Sequence, residues 1–125
     1  MTYDEFTEAY FRILDLALNW AEKARREGLL ALEEVLDPQK YLDREILEYG
    51  IQFAVDGYDT ELIDSILSRV IAHEKDPYKS LLKTVEKEAV LRIQQGVNTR
   101  ILVHLLASYV DIPLGDPRYE KILSD

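Results

Sequence analysis

Residues able to do chemistry are few and far apart in this 125-residue chain, which has two histidines and no cysteine. His73 and His104 fall on separate expected helices, and neither has a second histidine three or four positions away, as a helix-borne metal site wants. His104 sits on a helix face between apolar residues. His73 lies near a helix C-terminus, where a partly cationic imidazole complements the dipole. Without cysteine there is no disulfide scaffold, thiolate metal site, iron–sulfur ligation or cysteine nucleophile. The carboxylates gather in Glu33-Glu34-Asp37 and Asp56-Asp59-Glu61, but neither cluster has the oxygen-ligand spacing of a calcium loop. They read as solvated helix ends. No glycine-rich dinucleotide turn, phosphate loop or serine elbow occurs. The residues support no catalytic, cofactor-binding or metal site, hence no enzyme and no cofactor, and point to a helical module that acts by contact.

The elements that must position such a contact surface are helical. Phe6, Tyr10, Ile13, Leu14, Ala17, Leu18 and Ala21 repeat at i, i+3, i+4 and i+7, the stripe of an amphipathic helix. Lys23, Arg25 and Arg26 place cations in its last turn, and Gly28 is a candidate C-cap. Leu29 to Leu36 suits a short helix stopped by Asp37-Pro38. A third helix is expected from Tyr41 to about Val55, with Leu42, Ile46, Gly50, Phe53 and Ala54 on one face. Asp59 or Thr60 caps a fourth, whose stripe is Leu62, Ile63, Ile66, Leu67, Val70 and Ile71. Asp76-Pro77 breaks it. Leu81, Leu82, Val85, Ala89 and Ile93 define a fifth, ended near Gly96. Asn98 caps a sixth, with Ile101, Leu102, Leu105, Leu106, Tyr109 and Val110 inward. Pro113, Gly115 and Pro117 then lead to a last turn with Tyr119, Ile122 and Leu123. The expected fold is all-α: a compact bundle of about six helices in a single domain, residues 1–125.

Composition narrows the function further. The net charge of −9 and 47% apolar content argue against nucleic-acid binding, whose footprint is basic, and against docking on anionic lipid. No stretch reaches the roughly 20 apolar residues that a membrane helix needs. The acidic start, Met1-Thr2-Tyr3-Asp4-Glu5, lacks the basic and apolar regions of a secretory signal. A soluble, cytoplasmic protein without direct membrane insertion is the expectation.

Two segments carry more than periodicity. Residues 21–34, AEKARREGLLALEE, are followed by residues 49–63, YGIQFAVDGYDTELI. Together they resemble the cytoplasmic region of MotA, the flagellar stator subunit of the MotA/TolQ/ExbB family. There an A-R-x-E-G-L-L-A-L-E helix precedes a G-L-Q-L-V-V-D-G-x-D-P-E-L turn and helix. Residues 89–102, AVLRIQQGVNTRIL, are similar to the I-L-x-I-Q-x-G-x-N-P-R segment that follows the last membrane helix of that family. Order and spacing agree over most of residues 15 to 110. Thr60 and Thr99 stand where the family usually has proline, so both turns keep a capping residue but lose a fixed φ. The family's four membrane helices have no counterpart in this sequence, and Ile71 connects to Val90 through the charged stretch Ala72 to Lys79. The resemblance therefore implies a free-standing relative of the stator's cytoplasmic domain, without an ion path.

In that family an arginine and a glutamate flanking the glycine contact the rotor switch protein FliG through opposite charges. Aligned on Gly28, they fall on Arg25 and Glu33, with Arg26 and Glu34 beside them. Exposed opposite charges of this kind steer and orient a partner helix more than they supply affinity. The implied partners are a FliG-like rotor switch protein or stator subunits, with the chain peripheral to the flagellar motor. The alternative is a self-associating helical scaffold unrelated to torque generation.

Overall fold

The computed structural model describes residues 1–40 and 44–124. Among these, six α-helices and two 3-10 segments account for the regular structure, and there is no strand. The order is α1 (Tyr3–Glu27), a 3-10 segment (Leu29–Val35), a one-turn 3-10 segment (Pro38–Lys40), α2 (Ile46–Val55), α3 (Thr60–Ala72), α4 (Pro77–Gln95), α5 (Thr99–Ala107) and α6 (Pro117–Ser124). The all-α expectation holds. Among the described residues no helix is long and apolar enough to cross a membrane.

Side-chain caps set most of the boundaries. Thr2 and Glu5 form a reciprocal capping box at the start of α1, with Glu5 N–H donating to Thr2 Oγ1 at 3.1 Å and Thr2 N–H to Glu5 Oε1 at 2.9 Å. Gly28, at φ 94°, ends the helix, in a region of backbone space that a Cβ makes costly. Asp59 accepts from the Leu62 amide at 2.8 Å, Asp76 from Tyr78 at 2.9 Å, and Asn98 from Ile101 at 2.8 Å. Each satisfies one of the orphan donors of a first turn. Pro77 occupies the first turn of α4, where the missing N–H costs nothing.

α4 is the central element, packed against α1, α2 and α3. α3 and α4 run antiparallel across the short Asp76-Pro77 link. Their polar ties step down the pair: Thr60 Oγ1 donates to Gln94 Oε1 at 3.0 Å, Lys87 meets Asp64 at 2.8 Å, and Lys83 meets Glu74 at 2.8 Å. α1 and α4 run parallel, since the Met1 amine reaches Asp76 at 2.8 Å at one end and Arg25 reaches Gly96 at the other. One core unites them. Tyr10, Leu14, Leu32, Leu47, Ile51, Ile63, Leu67, Leu102 and Leu106 are all essentially inaccessible.

Some expectations need correction. The third helix starts at Ile46, not Tyr41. Tyr41 and Leu42 lie outside the described residues, while Glu45 is extended at φ −69°, ψ 163°. Buried Arg44 accounts for the late start: its guanidinium donates to Gln52 Oε1 at 2.9 Å and to the Asp37 carbonyl at 3.0 Å. The stripe of α3 is only half inward, because Leu62 and Val70 are 47% and 45% exposed and Ile66 is half-buried. α4 covers one flank of that helix and α2 covers the other incompletely. On α5, Ile101 and Tyr109 likewise face outward, and Leu123 of the last turn is exposed. The segment after Gly28 is a 3-10 helix whose only fully buried residue is Leu32.

Candidate functional site

The four charged residues singled out in the sequence surround the turn at Gly28. Arg25 and Arg26 occupy the last turn of α1, and Glu33 and Glu34 the 3-10 segment that folds back along it. All four are exposed. Gly28 makes the reversal by its positive φ, and Leu32 anchors the returning segment by packing into the core. The two acids therefore lie close in chain to an apolar anchor while their carboxylates stay in water.

Within this group the pairings differ from a simple arginine–glutamate set. Arg25 Nη1 donates to the backbone carbonyl of Gly96 at 2.7 Å. Gly96 is the left-handed C-cap of α4, at φ 76°. Arg25 thus places a cation on the C-terminal carbonyls of a helix 71 residues away in sequence, where the dipole favours positive charge. Arg26 reaches Glu22 at 3.9 Å, with both side chains more than half exposed. Glu34 pairs with Lys23 at 3.1 Å, and Lys23 also holds Glu27 at 3.2 Å. Hydrogen bonds to Glu34 and then Glu27 raise the Lys23 ammonium above the usual lysine range. Glu33 makes no ion pair among the described residues.

Arg25 and Arg26 share a shallow hollow with Glu22 and Gly96, and neither Glu33 nor Glu34 lines it. The surface is a cationic patch beside an acidic ridge. One bond to Gly96 uses one of five guanidinium donors, so Arg25 keeps others for a second contact. His73 caps the C-terminus of α3, and His104 is exposed on α5. Among the described residues no group of three or more histidine, aspartate or glutamate side chains is arranged to hold a metal ion.

Two features escaped the sequence reading. Lys23 links the ridge to α1, and its i,i+4 spacing to Glu27 was a usable signal. Glu86 is 5% exposed and accepts the Leu47 amide at 3.2 Å. It occupies an inward position in the α4 pattern Leu82, Val85, Glu86, Ala89, where an acid is out of place. That break in the apolar stripe was its signature. Burial pushes its carboxyl up to about 7.

Comparison with known proteins places these features in context. The chain is 30% identical to Motility protein A of Treponema pallidum (strain Nichols) over 93 residues, 73% of this chain and 35% of that protein. It is 34% identical to Motility protein A of Treponema phagedenis over 77 residues, covering 62% of this chain and 29% of that one. It is also 34% identical to Motility protein A of Bacillus subtilis (strain 168) over 68 residues, 54% and 24% of the two. The matches span about a third or less of the length of these relatives. No protein-family profile and no solved structure matches the chain.

Proposed function

We propose that this chain serves flagellar motility as a non-catalytic, cytoplasmic contact protein peripheral to the motor. Its contact face is the end of α1 with the 3-10 segment behind Gly28, and its partner is a FliG-like rotor switch protein or a stator subunit. Two observations together support this reading. Similarity to Motility protein A covers 73% of the chain in one comparison, and Arg25, Arg26 and Glu33 stand exposed around the Gly28 turn. Rim charges of this kind contribute mainly to encounter rate and orientation, so binding falls with added salt.

The test is binding of the whole chain to a purified rotor switch protein at two salt concentrations, with a double-mutant cycle between Arg26 or Glu33 and charges on the partner. Coupling that shrinks as salt rises supports the proposal. Binding with zero coupling moves the interface elsewhere, and no binding sinks the rotor reading.

The scaffold alternative draws on a different surface. Leu62 and Val70 are exposed on α3 beside half-buried Tyr49, Phe53 and Ile66, an apolar strip of the kind that two copies bury together. Sedimentation shows which applies. A concentration-dependent oligomer that Val70→Glu dissolves favours the scaffold.

A further inference from the structure

α2 begins without a capping side chain of its own, since Glu45 at its N-cap makes no capping bond. The Leu47 amide in that first turn is nevertheless satisfied, because Glu86 of α4 reaches across to accept it at 3.2 Å. Glu86 borders a cleft of about 350 Å³ whose walls carry charge from every element around it. The Met1 amine and Arg12 come from the α1 side, Glu45 from the entry to α2, Glu74 from the α3–α4 link, and Lys79 and Lys83 from α4 itself. Three of these are engaged: Met1 with Asp76 at 2.8 Å, and Lys83 with Glu74 at 2.8 Å. Arg12 is exposed and makes no hydrogen bond or ion pair among the described residues.

We propose that Glu86 is a proton-operated latch on α2: protonated, it pins the Leu47 amide to α4, and ionised, it turns into the cleft toward Arg12 and frees the first turn of α2. The proton passes to solvent through the cleft, and no other bond is made or broken. The physical basis is a contest between two places for one carboxyl group. In the closed position burial is the dominant cost for the charged form, and the neighbouring Glu45 adds repulsion. The Leu47 amide, Arg12 and Lys83 favour charge, but by less, so the group sits at about 7. The cleft offers hydration and an uncommitted guanidinium. Release has a natural limit, because Gly50 packs on Val90 one turn further along α2. The device is independent of the proposed contact face: Glu86 and Gly96 lie about 15 Å apart along α4 at 1.5 Å per residue.

The experiment is amide exchange by NMR on the whole chain at pH 6 and pH 8, together with the carboxyl carbon shift of Glu86 across the same range. After correction for the intrinsic rise with pH, Leu47 should exchange about tenfold faster at pH 8, because the ionised fraction of a group near 7 rises from about one tenth to about nine tenths over that range. Amides in the middle of α4 should keep their protection. Glu86→Gln, which keeps an acceptor and cannot ionise, should flatten the Leu47 response, and Arg12→Gln should move its midpoint upward. Equal Leu47 protection at both pH values overturns the latch, as does a pH response that survives Glu86→Gln. Should that variant not fold, the wild type decides alone. The midpoint of Leu47 release must coincide with the Glu86 carboxyl titration, and disagreement between them overturns the proposal.

Discussion

Gly50 and Val90 meet so closely that a β-carbon on Gly50 would stand 2.5 Å from Val90 Cγ2 and 2.7 Å from Cγ1. Glycine inside a helix normally costs stability. Here it lets α2 lie directly against α4 at Val90. Gly50→Ala should therefore destabilise by about 2 kcal/mol, the overpacking cost less the helix-propensity gain. Adding Val90→Ala should recover part of that loss, because the bulk that clashes is removed. Urea denaturation of the two single variants and the double variant checks this. Additive losses would show that the contact is not the cause.

Gly57 makes the complementary case. Its φ is 92° and a β-carbon there would meet no atom within 4 Å. The cost of Gly57→Ala is then purely conformational, about 1 kcal/mol or slightly more. The urea midpoint should fall with an unchanged slope, and no second-site substitution in a neighbouring helix should restore it. An unchanged midpoint would remove the turn reading.

The helix ends show how much of the fold was legible. Asp59, Asp76-Pro77, Gly96 and Asn98 announce their boundaries because a cap is a local event, written within four residues of the bond it makes. The start of α2 is not local. It depends on Glu86 reaching from α4, 39 residues from Leu47, and on Arg44 tying Gln52 to the Asp37 carbonyl; no window around Tyr41 contains Glu86, and the Arg44 bonds have no residue-type signature. The inward stripes of α3 and α5 were over-read for a related reason. Periodicity identifies an apolar face but not how many neighbours arrive to cover it, and Leu62, Val70 and Ile101 are left outside. The charged group around Gly28 was legible as an exposed set, whereas the bond from Arg25 to the Gly96 carbonyl was not, since a backbone acceptor has no sequence signature.

Tyr10 and Tyr119 join the first and last helices through a buried hydroxyl pair at 2.9 Å. Burial raises both phenols, and in Tyr10 the bond to Tyr119 adds to it. Tyr119→Phe leaves the Tyr10 hydroxyl buried without that partner and should cost about 1–2 kcal/mol. Removing both hydroxyls should cost less than the sum of the single losses, since no orphan remains. Thermal unfolding of the three variants measures this, and strict additivity would contradict a coupled pair.

Glu86 should also impose a pH dependence on global stability. Its folded value, about 7, lies above the ordinary carboxyl value of 4.5, so the folded protein binds more proton than the unfolded chain between those limits. The contribution is fully present below about pH 4.5 and is lost as pH rises through 7. At pH 8 the loss should approach about 3 kcal/mol, reduced to the extent that the ionised group escapes into the cleft. Urea midpoints at pH 5.5 and pH 8 for the wild type and Glu86→Gln test this. The variant should be nearly flat where the wild type falls, and parallel curves would assign the dependence to other groups.

Arg25 and Arg26 are neighbours with different duties, and charge reversal separates them. Arg25→Glu sets a carboxylate beside the Gly96 carbonyl and the negative end of the α4 dipole, so it should destabilise the fold by about 1 kcal/mol. Arg26→Glu meets only Glu22, an exposed pair at 3.9 Å, and should change stability by a few tenths of a kcal/mol. Arg25→Lys keeps the charge but loses the planar fork, and should fall between them. The consequence for binding follows directly. A slower association measured for Arg25→Glu mixes a lost contact with a loosened α4 terminus, whereas a slower association for Arg26→Glu reports the surface alone. If both reversals leave stability unchanged, the bond from Arg25 to Gly96 contributes nothing in solution. In that case Arg25 is as free as Arg26 to meet a partner.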